Sequence, residues 1–199
     1  MSLPVGVRGR RSIRMPEFDY AAGGVFFVTI CVKDRECLFG EVVECEMRLN
    51  DMGAIVESCW RSIPEHRANV TVDAFVVMPN HLHGLLRLAS VGATLVSPSF
   101  EVRSDGRSAP RGPDPGSLGA VVGCFKADVT RRTTGFGARS SRNIWQRNYY
   151  EHLVRDDRSL EQIRQYIAAN PANWTIDTEN PHRHRDPSRT PGRQEPWCV

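Results

Sequence analysis

Apolar residues along the chain fall into runs whose period changes several times. Residues 25–32 form a near-continuous stretch rich in Val, Phe, Ile and Thr, which predicts a buried strand. Residues 41–49 carry a weaker strand pattern. Met52, Ile55, Val56, Cys59, Trp60 and Ile63 then recur at three- and four-residue steps, the signature of one helix face. Asn50 or Asp51 caps the start of that helix, and Pro64 ends it. Residues 70–78 alternate as a strand does, and Pro79 stops them. After a tight Pro79-Asn80 turn, residues 83–88 read as the next strand. Leu118, Val121, Val122, Phe125 and Val129 mark a second amphipathic helix, with Ser117 as its N-cap. A third helix spans residues 160–169: Ser159 and Gln162 have capping-box spacing, and Pro171 closes it.

Strand, helix, strand, strand, helix, helix is an order that suits an antiparallel sheet with helices packed on one face. The expected class is α+β, with a ferredoxin-like arrangement. Residues 90–117 interrupt it with Gly, Pro, Ser and Arg and few apolar anchors, as a flexible insertion does. From residue 178 onward the chain is polar and reads as a loose tail. The expectation is therefore one domain over residues 1–177, without internal repeats.

At 199 residues and 40% apolar composition, the chain has enough apolar material for a core without cross-links. No apolar run is long enough to span a membrane, and no apolar segment follows the N-terminal arginines as a signal peptide would require. The six cysteines include no C-x-x-C pair, which points to reduced thiols in a cytoplasmic protein. Net charge is only +3, so its distribution says more than its size. All the basic residues except Lys33 and Lys126 are arginine, a bias that a GC-rich genome also produces. Arg8, Arg10, Arg11 and Arg14 precede any nearby acid. Arg131, Arg132, Arg139, Arg142 and Arg147 form a second acid-free cluster. Guanidinium forks match phosphate oxygens, so both clusters are candidate backbone contacts for nucleic acid.

Three places carry potential chemistry. In Met78-Pro79-Asn80-His81-Leu82-His83-Gly84, residues two apart on a strand face the same way. His81 and His83 then project side by side, with Leu82, Leu86 and Leu88 on the opposite face. Two neutral imidazoles make half of a metal site; two unrelated polar residues at a strand start give the same pattern. On the third helix, Leu160, Ile163 and Ile167 form a narrow apolar stripe. Tyr166 lies about 90–100° from its centre and shares a face with Asn170, four residues on. That placement fits a half-buried packing tyrosine as well as a nucleophilic phenol beside an amide ligand. The third place, Trp145-Gln146-Arg147-Asn148-Tyr149-Tyr150-Glu151-His152, mixes aromatics with Arg and amides. Base stacking beside phosphate contacts and an inward-packed β segment are both open readings.

Taken together, these stretches resemble a known family. Arg10-Arg11-Ser12-Ile13-Arg14, Phe26-Phe27-Val28-Thr29-Ile30, Cys37-Leu38-Phe39-Gly40, the segment 76–84, the segment 145–152 and Tyr166-Ile167-Ala168-Ala169-Asn170-Pro171 occur in the order seen in REP-associated tyrosine transposases. That family is a branch of the single-tyrosine HUH transposases. The resemblance implies that His81 and His83 hold a divalent cation, Mg²⁺ or Mn²⁺, and that Tyr166 is the catalytic nucleophile. It puts Asn170 where relatives place an amide ligand, often Gln. It implies single-stranded or hairpin DNA as partner, a 5′-phosphotyrosine intermediate, and a monomer or homodimer. Arg10, Arg11, Arg14, Lys126, Arg131, Arg132 and Arg147 are the candidate DNA contacts.

Two functional alternatives compete with this reading, beside a purely structural α+β protein. One is a domesticated, non-catalytic nucleic-acid-binding protein on the same scaffold. Another is a metal hydrolase that uses water and leaves Tyr166 dispensable. A zinc deaminase lacks its H-x-E and P-C-x-x-C signatures here.

Overall fold

The computed structural model of the chain describes residues 23–89, 113, 116–134 and 144–183. Its elements follow as β1 (Gly24–Cys31), β2 (Gly40–Val43), β3 (Glu46–Leu49), α1 (Asp51–Arg61), α2 (Ile63–His66), β4 (Val70–Met78), β5 (His81–Leu88), α3 (Leu118–Arg132), β6 (Tyr150–Val154) and α4 (Asp157–Ala169). Single 3-10 turns lie at Lys33–Arg35 and Trp174–Ile176. Four strands pair antiparallel in the order β4-β5-β1-β6. With α1 joining β1 to β4 by way of the small β2–β3 sheet, and α3 between β5 and β6, this is the expected ferredoxin-like succession.

The alternation of side chains along β1 and β5 divides the core in two. Phe26, Val28, Ile30, Leu82, Leu86 and Leu88 are buried together with α1 and α3, among Val56, Trp60, Val121, Val122 and Phe125. Phe27 and Leu85, one residue out of phase, are buried with Leu160, Ile163 and Ile167 of α4. The one-face expectation thus holds for α1 and α3, while α4 covers the other face. The reason lies in β1 itself: its run is apolar at consecutive positions, so both faces of the strand need cover.

Gly84 marks a close approach between the sheet and α1. A Cβ there would sit 2.3 Å from Trp60 Cζ2, so no larger residue fits under that indole without a shift. On the other side, the β4–β5 register shifts between Val72 and Phe75. This bulge lets neighbouring residues Asp73 and Ala74 both serve α4. Ala74 packs on its apolar stripe, and Asp73 takes two hydrogen bonds from Arg164, at 2.9 and 2.7 Å. The guanidinium of Arg164 holds the Asp73 carboxyl below its ordinary value.

Several local boundaries differ from the sequence reading. Residues 41–49 form a hairpin, not one strand, turning at Glu44 and Cys45 with φ of 52° and 65°. Ser62 ends α1, and Pro64 sits in the first turn of α2, where its missing N–H costs nothing. Helix α4 starts earlier than Ser159 because Asp156 is the better cap: its carboxylate accepts from Ser159 N and Ser159 Oγ, both at 2.8 Å. Asn50 and Ser117 cap α1 and α3 as expected. Residues 178–183, expected to be loose, are folded onto the domain, with Glu179 and Asn180 buried. The insertion at 90–117 lies almost wholly outside the described residues, as do Arg8, Arg10, Arg11, Arg14, Arg139 and Arg142. Among the described residues no helix is long and apolar enough to cross a membrane.

Candidate active site

His81 opens β5, and His83 follows on the same face. Their cross-strand partners on β1 are Cys31 and Thr29. Both imidazoles are buried, at 0% and 3% exposure, on the α4 side of the sheet. Burial of two imidazoles in an apolar layer needs partners, and each ring has them. Nδ1 of His83 lies 2.9 Å from Thr29 Oγ1, and Nδ1 of His81 lies 2.9 Å from Asn80 Oδ1. The two Nε2 atoms face each other at 3.0 Å.

Helix α4 brings the tyrosine to this pair. Its apolar stripe seats Leu160, Ile163 and Ile167 on Phe27 and Leu85, which turns the half-buried Tyr166 toward β5. The phenol oxygen stands 3.3 Å from His83 Nε2, and the two rings meet at 5.2 Å in an edge arrangement. Phe27 stacks on His83 at 5.4 Å and meets Tyr166 edge-on at 6.1 Å. The hydroxyl therefore lies within one hydrogen bond of the histidine pair, with its ring wedged among aromatics that limit its rotamers.

Asn170 caps the C-terminal end of α4 and is 2% exposed. Its Oδ1 is buried without a hydrogen-bond partner among the described residues. A buried amide oxygen without a partner, one turn beyond Tyr166, is a candidate oxygen ligand.

The sequence reading missed Asp177. It follows the 3-10 turn Trp174–Ile176, in a stretch with no periodicity to suggest that it returns to the sheet. Its Oδ2 lies 3.7 Å from His81 Nε2, and its Oδ1 accepts from Glu179 N at 2.7 Å. Trp174 covers His81, ring to ring at 6.0 Å. The ligand atoms of His81, His83 and Asp177 all lie within 4.8 Å of one another. Two imidazole nitrogens and one carboxylate at this spacing could hold a divalent metal ion. A separation near 3 Å also suits two nitrogens that each stand about 2.1 Å from one ion.

The proposed DNA contacts are spread more widely. Arg147 is exposed and lines a shallow cleft with Lys33, Asp34, Arg35, Trp145 and Gln146. That cleft lies at the end of β1 nearest His81, since Val32 N donates to Asn80 O and Lys33 N to Ile144 O, both at 2.8 Å. Lys126 is committed to the protein: its ammonium donates to Gln146 O at 2.9 Å and Asn148 O at 3.1 Å. Burial pulls its pKa down to about 8. Arg131 pairs with Asp128, and Arg132 reaches Ser58 and Cys59 of α1. Both lie on the helix layer, across the sheet from Tyr166, in a groove that also contains Glu57, Glu65 and Asp128. His152 pairs with Phe27 on β6 and stands outside the His81–His83–Asp177 group; burial lowers its pKa.

Comparison with known proteins bears on the chain as a whole and on its fold. No protein-family model matches the chain. An uncharacterised protein of Haemophilus influenzae is 39% identical over 174 residues, which cover 86% of this chain and 93% of that one. A second Haemophilus influenzae protein, a proposed REP-associated tyrosine transposase, is 27% identical over 161 residues, 77% of this chain and 73% of that one. A solved structure of a REP-associated tyrosine transposase bound to a REP hairpin shares the fold. Its TM-score is 0.50 at 19% identity, covering 85% of this chain and 74% of that chain.

Proposed function

This chain belongs to one family with the Haemophilus influenzae protein that is 39% identical to it, and we propose that it is a metal-dependent transposase. In this reading it cuts and rejoins single-stranded DNA at hairpins of the REP type, through a 5′-phosphotyrosine. One observation carries the proposal: the Tyr166 hydroxyl stands 3.3 Å from a nitrogen of a buried His81–His83 pair that also faces Asp177. A packing tyrosine has no need of such company.

His81, His83 and Asp177 would hold the cation, with Asn170 as the amide ligand. When bound, it supplies Lewis-acid polarisation of the scissile phosphate. The protein does the rest. Tyr166 attacks phosphorus in line; its O–P bond forms as the P–O3′ bond breaks. The electron pair leaves with the 3′ oxygen, which takes up a proton to become a hydroxyl, and the phenol proton is released. A phenol with an ordinary pKa near 10 needs a site that stabilises its anion, which a cation held by His81, His83 and Asp177 would supply. Reversal by another 3′-hydroxyl joins strands without ATP. The cleft of Lys33, Arg35 and Arg147 suits the phosphates of the strand on either side of the cut. Arg10, Arg11 and Arg14 remain candidate DNA contacts, and Arg131 and Arg132 would meet only DNA that reaches the helix layer.

The test is incubation with single-stranded hairpin DNA and Mn²⁺ or Mg²⁺, followed by a denaturing protein gel. A labelled adduct that disappears in Tyr166→Phe supports the proposal. Hairpin binding that is indifferent to metal and never yields an adduct would move the assignment to a non-catalytic binding protein.

A further inference from the structure

We propose that Asn80 is the positioning residue of this metal centre: one amide sets the tautomer of His81 and ties the segment carrying Asp177 to it. The inference rests on the reading of His81, His83 and Asp177 as cation ligands.

Asn80 is 1% exposed in the turn between β4 and β5. Its backbone oxygen accepts from Val32 N at 2.8 Å, which fixes the turn against the end of β1. Its side chain has three partners. Nδ2 lies 2.8 Å from Glu179 O and 3.1 Å from Arg35 O. Carbonyl oxygens only accept, so the nitrogen end of the amide must face these two. The flipped amide would set oxygen against two oxygens and leave both carbonyls without this donor.

That orientation determines the rest. Oδ1 is the end facing His81, and it too only accepts, so His81 Nδ1 carries the proton and donates at 2.9 Å. A neutral imidazole protonated on Nδ1 presents its lone pair at Nε2. Nε2 is the atom that faces His83 Nε2 at 3.0 Å and Asp177 Oδ2 at 3.7 Å. Two main-chain carbonyls far apart in sequence thus decide which nitrogen of His81 can bind a cation.

The same amide holds the loop that brings the carboxylate. Glu179, whose carbonyl Asn80 binds, donates its own N–H to Asp177 Oδ1 at 2.7 Å. This Asx-type turn leaves Oδ2 toward His81. The Glu179 carboxylate meets Arg35 Nε at 3.4 Å, and Arg35 Nη1 donates to Thr178 O at 3.1 Å. Hydrogen bonds thus run from His81 to Asn80, from Asn80 to Glu179 and from Glu179 to Asp177, whose Oδ2 returns to face His81 Nε2 at 3.7 Å. Loss of such an outer partner costs about 10–100-fold in metal affinity.

The test pairs Mn²⁺ titration, read by calorimetry and by the free-ion EPR signal, with ¹⁵N NMR of histidine-labelled protein and hydrogen exchange. In the metal-free wild type, His81 is expected as the Nδ1–H tautomer. Asn80→Ala should bind Mn²⁺ about 10–100-fold more weakly. Asn80→Asp keeps an acceptor for Nδ1–H and so keeps the tautomer, but it lacks both donors. Amides at 178–180 should therefore exchange faster in both variants. An Nε2–H tautomer in the wild type overturns the proposal without any variant. Wild-type affinity in Asn80→Ala overturns it while leaving the metal reading intact. A wild type that binds Mn²⁺ no better than His81→Ala overturns the metal reading, and this proposal with it.

Discussion

His83 and Gly84 are neighbours on β5, and they face different surroundings. Gly84 lies under the Trp60 indole, in a layer made of Leu, Val, Phe and Trp side chains. His83 lies on Phe27, beside Tyr166 and His81, where the apolar layer gives way to imidazole, amide and carboxylate groups. The strand backbone is common to both, and only the parity of the residue differs. The face covered by α1 and α3 gains its stability from volume and shape, and any well-packed apolar set of the right size would serve. The α4 face gives up part of that burial to hold polar groups in fixed geometry. Its cost is offset by hydrogen bonds to His81, His83 and Asp177 and by the larger core behind it.

The comparison can be broken most severely on the polar side. His83→Ala should abolish detectable Mn²⁺ binding and the DNA adduct, while circular dichroism and cooperative unfolding persist. Collapse of the fold in that variant would show that the two faces are not separable. The mirror experiment is Leu86→Ala, at a fully buried position on the face covered by α1 and α3. It should cost about 2–5 kcal/mol in denaturant unfolding, with Mn²⁺ affinity of the folded fraction unchanged.

Gly84→Ala sharpens the contrast because it adds one carbon to the crowded side only. Trp60 must move, and a loss of about 1–3 kcal/mol in stability is expected. If the shift stays on that face, the His81 tautomer and the metal titration remain as in the wild type. Smaller still is the effect of the Arg164–Asp73 pair, which sets where α4 rests on the sheet. Because the folded-state pKa of Asp73 is depressed, the pair contributes fully above the ordinary carboxylate range near 4 and is lost as pH falls below it. Asp73→Asn should therefore flatten the acid side of the stability–pH curve. It should also slow adduct formation by about tenfold, since Tyr166 sits two residues from Arg164 and small misplacements weigh heavily in catalysis. An unchanged acid limb would show that α4 is seated by its apolar stripe alone.

Much of the architecture was legible along the chain. The helical offsets from Met52 to Ile63 and from Leu118 to Val129, the alternation of 70–78, and the caps Asn50 and Ser117 are local signals that tertiary packing did not override. The second layer of helix cover was less legible. A continuous apolar run such as 25–32 says that a strand is buried on both sides, yet it does not say which helix covers which side. Ser159 lost the capping position to Asp156 because two competent caps lay three residues apart, and only the full hydrogen-bond set distinguishes them. Lys126 looked like a phosphate contact because it is a cation beside Phe125 on a helix. Its position over the 146–148 carbonyls depends on a loop that sequence periodicity does not place.

For the site, the sequence alone determined the local pair and its register: H-x-H on a strand, and Tyr166 with Asn170 one helical turn apart. Both follow from backbone periods of two and 3.6 residues, which act over a few positions. What only the tertiary structure decided is that these two local features meet, with the phenol one hydrogen bond from His83. The same holds for Thr29, Asn80 and Asp177, which join them from separate segments. Contacts between residues 80 and 179, or 83 and 166, depend on strand order and on which sheet face a helix covers. Such choices are made by the whole core at once, and no short stretch of sequence contains them.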